Sequence, residues 1–191
     1  YDELIQEKQV YRFRELEAPV KISRQKLAIV GYGRIGRAVA KRAAVFGFEI
    51  LAVTRHPEQY GKKENGATYV SVEEALKEAD IVSNHMNQTP ENEDYFDWDI
   101  FCQLKKTAYF VNVGRGACVS ETALARALDE GEIAGAGLDV LKGTQPDLEK
   151  TNLCHRPNVI LTPHSAFYSK EVMEFLAETP ARNVIYYFGG Q

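Results

Sequence analysis

Residues 27–56 read LAIVGYGRIGRAVAKRAAVFGFEILAVTRH, and the punctuation of that stretch decides the fold. An apolar run, KLAIV at 26–30, leads straight into Gly31, Gly33 and Gly36, spaced as G-x-G-x-x-G. An Ala- and Val-rich stretch with helical character follows over 34–46. Glycine is common, so the spacing alone is a weak signal; its place between a strand and a helix gives it meaning. In that setting Gly31 permits a tight turn, Gly33 lets backbone approach a pyrophosphate, and Gly36 allows close helix–strand packing. Arg34 and Ile35 open the helix, whose free N–H groups and positive dipole end would meet the phosphates. The alternative is a plain strand–turn–helix corner.

The far end of the same stretch bears on which dinucleotide would fit. An Asp or Glu at the end of the second strand grips the adenosine ribose and repels a 2′-phosphate. Here the chain offers Thr54, Arg55 and His56, with Lys62 and Lys63 close behind. Arginine presents a fork of donors suited to phosphate. The residues therefore favour NADP(H) over NAD(H), unless Arg55 only stacks on adenine or points to solvent.

Working outward, short apolar runs alternate with helical stretches. Strands are expected at 26–30, 49–54, 67–70, 79–84, 107–113, 134–140 and 157–161. Helices are expected at 34–46, at 72–78 behind a Ser71-x-x-Glu74 capping box, at 98–104 after Asp97, and at 120–130. A last helix is expected over 169–188, opened by Ser169 and perturbed by Pro180. Near-continuous apolar strands between helices indicate an α/β fold, a doubly wound parallel sheet of the Rossmann type. Residues 1–14 read as an amphipathic helix and 15–25 as a linker.

The bulk properties are those of an ordinary globular chain. It has 191 residues, 45% apolar and 26% charged, with a net charge of −4. That balance gives no reason to expect a nucleic-acid or membrane partner. No apolar run approaches the roughly 20 residues that cross a bilayer, and the first residues lack a signal-peptide pattern. Cys102, Cys118 and Cys154 are scattered, without metal-ligand spacing. They read as buried or half-buried thiols of a reducing cytoplasm, and no metal site is expected.

Three later stretches carry chemistry. VNVGRGACVSETAL (111–124) puts Arg115 between two glycines just after a strand; EIAGAGLDVL (132–141) ends a strand with Asp139; NVILTPHSAFYS (158–169) ends another with His164. All three lie at the C-terminal ends of expected parallel strands, where sheet ligands bind. Taken singly, Arg115 reads as a surface-loop arginine and His164 as a structural histidine; as an ordered set they can converge on one crevice.

With these four motifs in order, the chain from about Lys26 to Gln191 resembles the cofactor-binding domain of the D-isomer-specific 2-hydroxyacid dehydrogenases. The resemblance implies that Arg115 binds the carboxylate and polarises the carbonyl of a small 2-oxo acid. It implies that His164 is the general acid/base, and that Asp139 contacts the nicotinamide carboxamide side. Val113 and Gly114 would line the nicotinamide, and Thr89, in MNQTPEN, would lie near the cofactor. The residue types suit the reaction: arginine forks onto a carboxylate, and histidine can hold the proton an alkoxide needs. His85 reads as structural and His155 as a solvated loop residue.

The chain also departs from the family. A Glu that orients the histidine belongs five residues after the Asp, in a pattern like DVFExEP; here Thr144 stands in register, followed by Gln145. Asp147 or Glu149, slightly further on, is the candidate substitute. Without such a partner His164 would be protonated less often at neutral pH, giving a slower enzyme or a shifted optimum. Asn87 stands where the family has Pro.

Only some 25 residues precede the glycine-loop strand, whereas the family builds most of its substrate lobe there. The organisation expected is a connecting segment at 1–25, a dinucleotide-binding domain at 26–168, and a helix at 169–191 that returns to the substrate lobe. The leading function is an NADP-preferring oxidoreductase of small 2-oxo and D-2-hydroxy acids, homodimeric when complete. The competing one is a nucleotide-sensing, corepressor-like protein on the same fold.

Overall fold

A computed structural model describes residues 5, 6, 9, 18–143 and 145–189. The amphipathic helix expected over 1–14 falls almost wholly outside them.

The strands are β1 (Lys26–Val30), β2 (Glu49–Val53), β3 (Lys63–Glu64), β4 (Ala67–Val70), β5 (Ile81–Asn84), β6 (Tyr109–Asn112), β7 (Gly135–Leu138) and β8 (Val159–Leu161). They form one sheet in the order β3-β4-β2-β1-β5-β6-β7-β8, parallel except for β3. The order reverses at β1, with β2 and β4 on one side and β5–β8 on the other, which is the doubly wound pattern. The helices are α1 (Arg34–Val45), α2 (Val72–Glu78), α3 (Trp98–Phe101), α4 (Glu121–Asp129) and α5 (Lys170–Gly189).

Alternation along the strands sends side chains to two layers. Ala28, Val30, Leu51, Val53, Val82, Phe110 and Leu138 face α2, α3 and α4, forming the larger core around Phe96, Phe101 and Leu124. Leu27, Ile29, Ile50, Ala52 and Tyr69 face α1 through Ala40 and Ala43. Over β6–β8 this second face carries no helix among the described residues, and Tyr109 and Ile160 stand 54% and 72% exposed. Helix α5 is exposed along its length, Phe175, Ile185, Tyr186 and Phe188 included.

The helix starts follow their caps. Ser71 Oγ accepts from Glu74 N–H at 3.1 Å, Asp97 Oδ1 from Ile100 N–H at 2.9 Å, and Ser120 Oγ from Ala123 N–H at 3.4 Å. Several elements are shorter than expected by one to three residues at an end, and α3 is a single turn, stopping at Phe101. Strand β3 has no counterpart among the expected strands. Its residues are Lys and Glu, which carry no apolar pattern, and it pairs antiparallel at the sheet edge. Among the cysteines, Cys118 is buried and Cys154 half-buried, but Cys102 is exposed, contrary to expectation.

Candidate cofactor and substrate cleft

The glycine loop lies at the switch point between β1 and β5. Gly31 has φ +91°, and a Cβ there would lie 2.7 Å from Met86 N and 2.8 Å from His85 C, so only glycine fits. At Gly36 a Cβ would come within 2.9 Å of Gly31 O and 3.0 Å of Ile29 Cγ2. Gly33 differs: among the described residues a Cβ there would have one neighbour within 4 Å, Gly31 O at 4.0 Å, and none of them accounts for the missing side chain. That open face, at the N-cap of α1, fits the approach of a phosphate group. Arg34 and Ile35 stand exposed beside it, Ile35 at 63%.

Thr54 follows β2 and is half-buried, while Arg55 and His56 are exposed. His56 Nδ1 lies 3.2 Å from Glu58 Oε1. Arg55 has no hydrogen-bond or ion-pair partner among the described residues, and its charge helps hold the Glu91 carboxyl below its usual range, after the Thr89 side chain and Glu91's own backbone. Thr89 opens the 3-10 turn Pro90–Asn92, its N–H donating to Asn92 Oδ1 at 2.8 Å. The carbonyl of Asn87 accepts from Asn92 Nδ2 at 2.5 Å, a bond that a proline at 87 would also allow.

Across the switch point two asparagines organise the Arg115 loop. Asn84 and Asn112 end β5 and β6 in register and are 0% and 1% exposed. Asn84 Nδ2 donates to Asn112 Oδ1 at 3.0 Å, and Asn84 Oδ1 accepts from Met86 N–H at 2.9 Å. Asn112 Oδ1 also takes Gly114 N–H at 3.1 Å, and its Nδ2 donates to Arg115 O at 3.2 Å. Arg115 is exposed, with Nη1 donating to Gly114 O at 2.8 Å. A Cβ at Gly114 would meet Met86 O at 3.0 Å, so the backbone of Met86 is flanked by the glycine loop on one side and the Arg115 loop on the other.

The third and fourth groups arrive from β7 and β8. Asp139 N–H donates to Asn112 O at 3.0 Å, tying the end of β7 to that of β6. Asp139 is 6% exposed, and its carboxylate accepts from Thr162 Oγ1 at 2.5 Å, Ser165 N–H at 2.8 Å and Ala166 N–H at 2.9 Å. Burial alone would raise its pKa, but these donors hold it below the usual carboxylate value. His164 N–H donates to Asp139 O at 2.8 Å, and φ of His164 is +52°, a left-handed conformation held by the bonds around it. Its ring is exposed, edge-on to Phe167 at 5.8 Å.

Arg115, Asp139 and His164 therefore line one cleft of about 930 Å³, with Gln88, Leu141 and Lys142 among its other walls. Asp147 and Glu149 do not line it. Asp147 faces a separate groove and pairs with Lys150 at 2.7 Å, and Glu149 is exposed. The register position of the family Glu, Thr144, lies outside the described residues. His85 has Nε2 2.9 Å from Ser83 Oγ, and burial depresses its pKa. His155 is exposed in a loop. Among the described residues no cluster of His, Cys, Asp and Glu could hold a metal ion, and no helix is long and apolar enough to cross a membrane.

Two sets of positioning residues carry no signal in the sequence. Asn84 and Asn112 look like polar residues that merely end IVSN and YFVN, and only the pairing register shows that they meet. In the sequence Gly116 is merely a neighbour of Arg115, yet a Cβ there would lie 1.9 Å from Leu141 O.

The family model for the NAD binding domain of the D-isomer specific 2-hydroxyacid dehydrogenases matches residues 1–166. The chain belongs to that family. Among curated relatives, a glyoxylate reductase of Thermococcus litoralis is 40% identical over 165 residues, covering 86% of this chain and 49% of that protein. The D-isomer specific 2-hydroxyacid dehydrogenase of Lactobacillus delbrueckii ssp. bulgaricus, solved with NAD, superposes with a TM-score of 0.83 at 31% identity, covering all of this chain and 61% of that one. The D-lactate dehydrogenase of Aquifex aeolicus, solved with NAD and lactic acid, gives 0.85 at 28% identity, covering 99% and 60%. The chain spans about half the length of the curated dehydrogenases and reductases it matches.

Proposed function

We propose that this chain is the cofactor-binding half of an NAD(P)-dependent D-2-hydroxyacid oxidoreductase acting on a small 2-oxo acid. The observation that carries the reading is the convergence of Arg115 and His164 on one cleft, joined through Met86 to an open glycine loop. Gly31, Gly33, Arg34, Ile35 and Gly36 would hold the pyrophosphate, and Thr89, Val113, Gly114 and Asp139 would border the nicotinamide side. When bound, the nicotinamide supplies or takes the hydride.

The chain's own residues do the rest. Arg115 clamps the substrate carboxylate through two parallel N–H donors and draws charge towards the carbonyl oxygen. His164 holds the proton that the developing alkoxide takes, and its exposed ring in a fixed backbone conformation suits that transfer. Asp139 acts through the backbone, by fixing the loop that carries His164.

Thr54, Arg55 and His56 support NADP(H) as the preferred cofactor, because Arg55 is exposed with no hydrogen-bond or ion-pair partner among the described residues and no acidic side chain ends β2. The neighbours solved with NAD make NAD(H) the alternative. The test is calorimetric titration of the 191-residue chain with NADPH and with NADH at low salt. A preference for NADPH of about tenfold or more, roughly 1.4 kcal/mol, supports the reading; a tie or a preference for NADH overturns it.

The remaining readings concern the complete protein. The exposed aromatic face of α5 supports its return to a substrate lobe, and the uncovered sheet face over β6–β8 supports a homodimer. Three free thiols support a reducing, cytoplasmic setting. The sensing alternative draws on the separation of Asp147 from His164. It predicts that His164→Ala leaves the protein's function intact, whereas an enzyme loses about 10²–10⁴ in turnover.

A further inference from the structure

The cofactor preference rests on residues 54–63, and something must aim them. This basic segment leaves the sheet at Val53, whose carbonyl accepts from Gly31 N–H at 3.3 Å and Tyr32 N–H at 3.1 Å. It returns through the β3–β4 hairpin, where Gly61 N–H donates to Tyr69 O at 2.8 Å and Tyr69 N–H to Lys62 O at 2.9 Å. Both ends of the segment are thus fixed to backbone.

Side chains then join the two ends. The Tyr69 hydroxyl donates to the Glu64 carboxylate. Arg37, one turn into α1, donates through Nε to the two Glu64 oxygens at 3.2 and 3.3 Å, and through Nη2 to Tyr69 Oη at 3.2 Å. Its Nη1 donates to the carbonyl of Tyr32, the middle residue of the glycine turn, at 2.9 Å. The Tyr32 ring meets Tyr69 edge-on at 5.3 Å, and the Arg37 guanidinium lies 5.1 Å from the centre of that ring. Tyr32 and Tyr69 are each 5% exposed. The Tyr32 hydroxyl is buried with no hydrogen-bond partner among the described residues, so what this phenol contributes here is its ring.

We infer that Tyr69, with Glu64 and Arg37, forms a latch that aims residues 54–63 at the adenosine ribose and so sets how strongly the chain separates NADPH from NADH. These are positioning residues. A half-exposed ion pair such as Arg37–Glu64 contributes little by itself. Bonded to a buried tyrosine and to the phosphate-binding turn, it makes turn and segment one rigid piece, which lowers the ordering cost of binding. The inference rests on the reading of Arg55 as the 2′-phosphate partner.

The test titrates NADPH and NADH into the chain and its Tyr69→Phe, Glu64→Gln and Arg55→Ala variants, with a thermal melt of each. Tyr69→Phe keeps the packed ring and removes only the hydroxyl; Glu64→Gln keeps an acceptor and removes the charge. Both are expected to lose about three- to tenfold in NADPH affinity while NADH affinity stays within about twofold. If the two affinities fall together, or neither moves, the trio only holds the sheet edge and the inference is overturned. A wild-type chain that prefers NADPH through Arg55, with its preference untouched in both latch variants, overturns the latch alone. A wild-type chain without preference, unaffected by Arg55→Ala, overturns the cofactor reading and the latch with it.

Discussion

His164 is held by Asp139 on two levels: its N–H donates to the Asp139 carbonyl, and the Asp139 carboxylate gathers Thr162, Ser165 and Ala166 on either side of it. The loop therefore keeps a histidine in left-handed backbone with its ring turned outward.

Asp139→Asn tests that account. The amide can accept on one side only, so its NH₂ faces a donor whichever way it turns. Leaving a part-buried donor such as Ser165 or Ala166 N–H unpaired costs up to about 1–3 kcal/mol. Faster hydrogen exchange is expected at the amides of 164–166, with the core strands unchanged; equal protection in both proteins would refute it.

Gly33 and Gly116 should separate binding from folding. Gly33→Ala places a methyl in open space, so the melting temperature stays put while dinucleotide affinity drops. Gly116→Ala drives a methyl into the Leu141 carbonyl, and backbone shifts of that kind cost about 1–3 kcal/mol or more. Denaturant unfolding and dinucleotide titration of both variants would show the contrast, and equal stability losses would contradict it.

Asn112→Ala removes the acceptor shared by Asn84 and Gly114. The orphaned groups are buried, so a loss of about 1–3 kcal/mol in stability is expected. Asn84→Ala should cost a similar amount, and the double variant less than the sum, because the partners share one bond. Strict additivity in a double-mutant cycle would show that the pair is not coupled.

Acid should weaken the fold in two windows. His85 is kept neutral by burial, its pKa depressed below the ordinary 6.5. The unfolded chain takes up that proton first, so the stability is present above about pH 6.5 and is lost as pH falls through the folded-state value. Asp139, also depressed, stabilises above its unfolded value near 4 and ceases to as pH falls further. Melting temperatures from pH 8 to 5 should fall in the wild type and stay flatter in His85→Gln; parallel curves would remove His85 from the account.

Much of this architecture is legible in the chain because each long element carries its own signal. KLAIV with its three glycines places β1 and α1, and Ser71 and Asp97 mark helix starts that the structure keeps. What stays illegible depends on contacts across the sheet. Strand β3 is two charged residues whose partner, β4, decides that they are a strand. Asn84 and Asn112 are 28 positions apart and acquire meaning only from register. Position along the loop offers Asp147 and Glu149 as partners of His164, but Lys150 takes Asp147 and the loop turns it into another groove.

Gly116 and Leu141 touch backbone to backbone, with no side chain between them to trim or enlarge. The loop bearing the guanidinium and the loop entering the cleft from β7 are in this sense one casting. Substitutions that add bulk at that seam find little room. Gln88 and Leu148 line the same cleft as exposed side chains, free of that seam, so changes there leave the frame undisturbed.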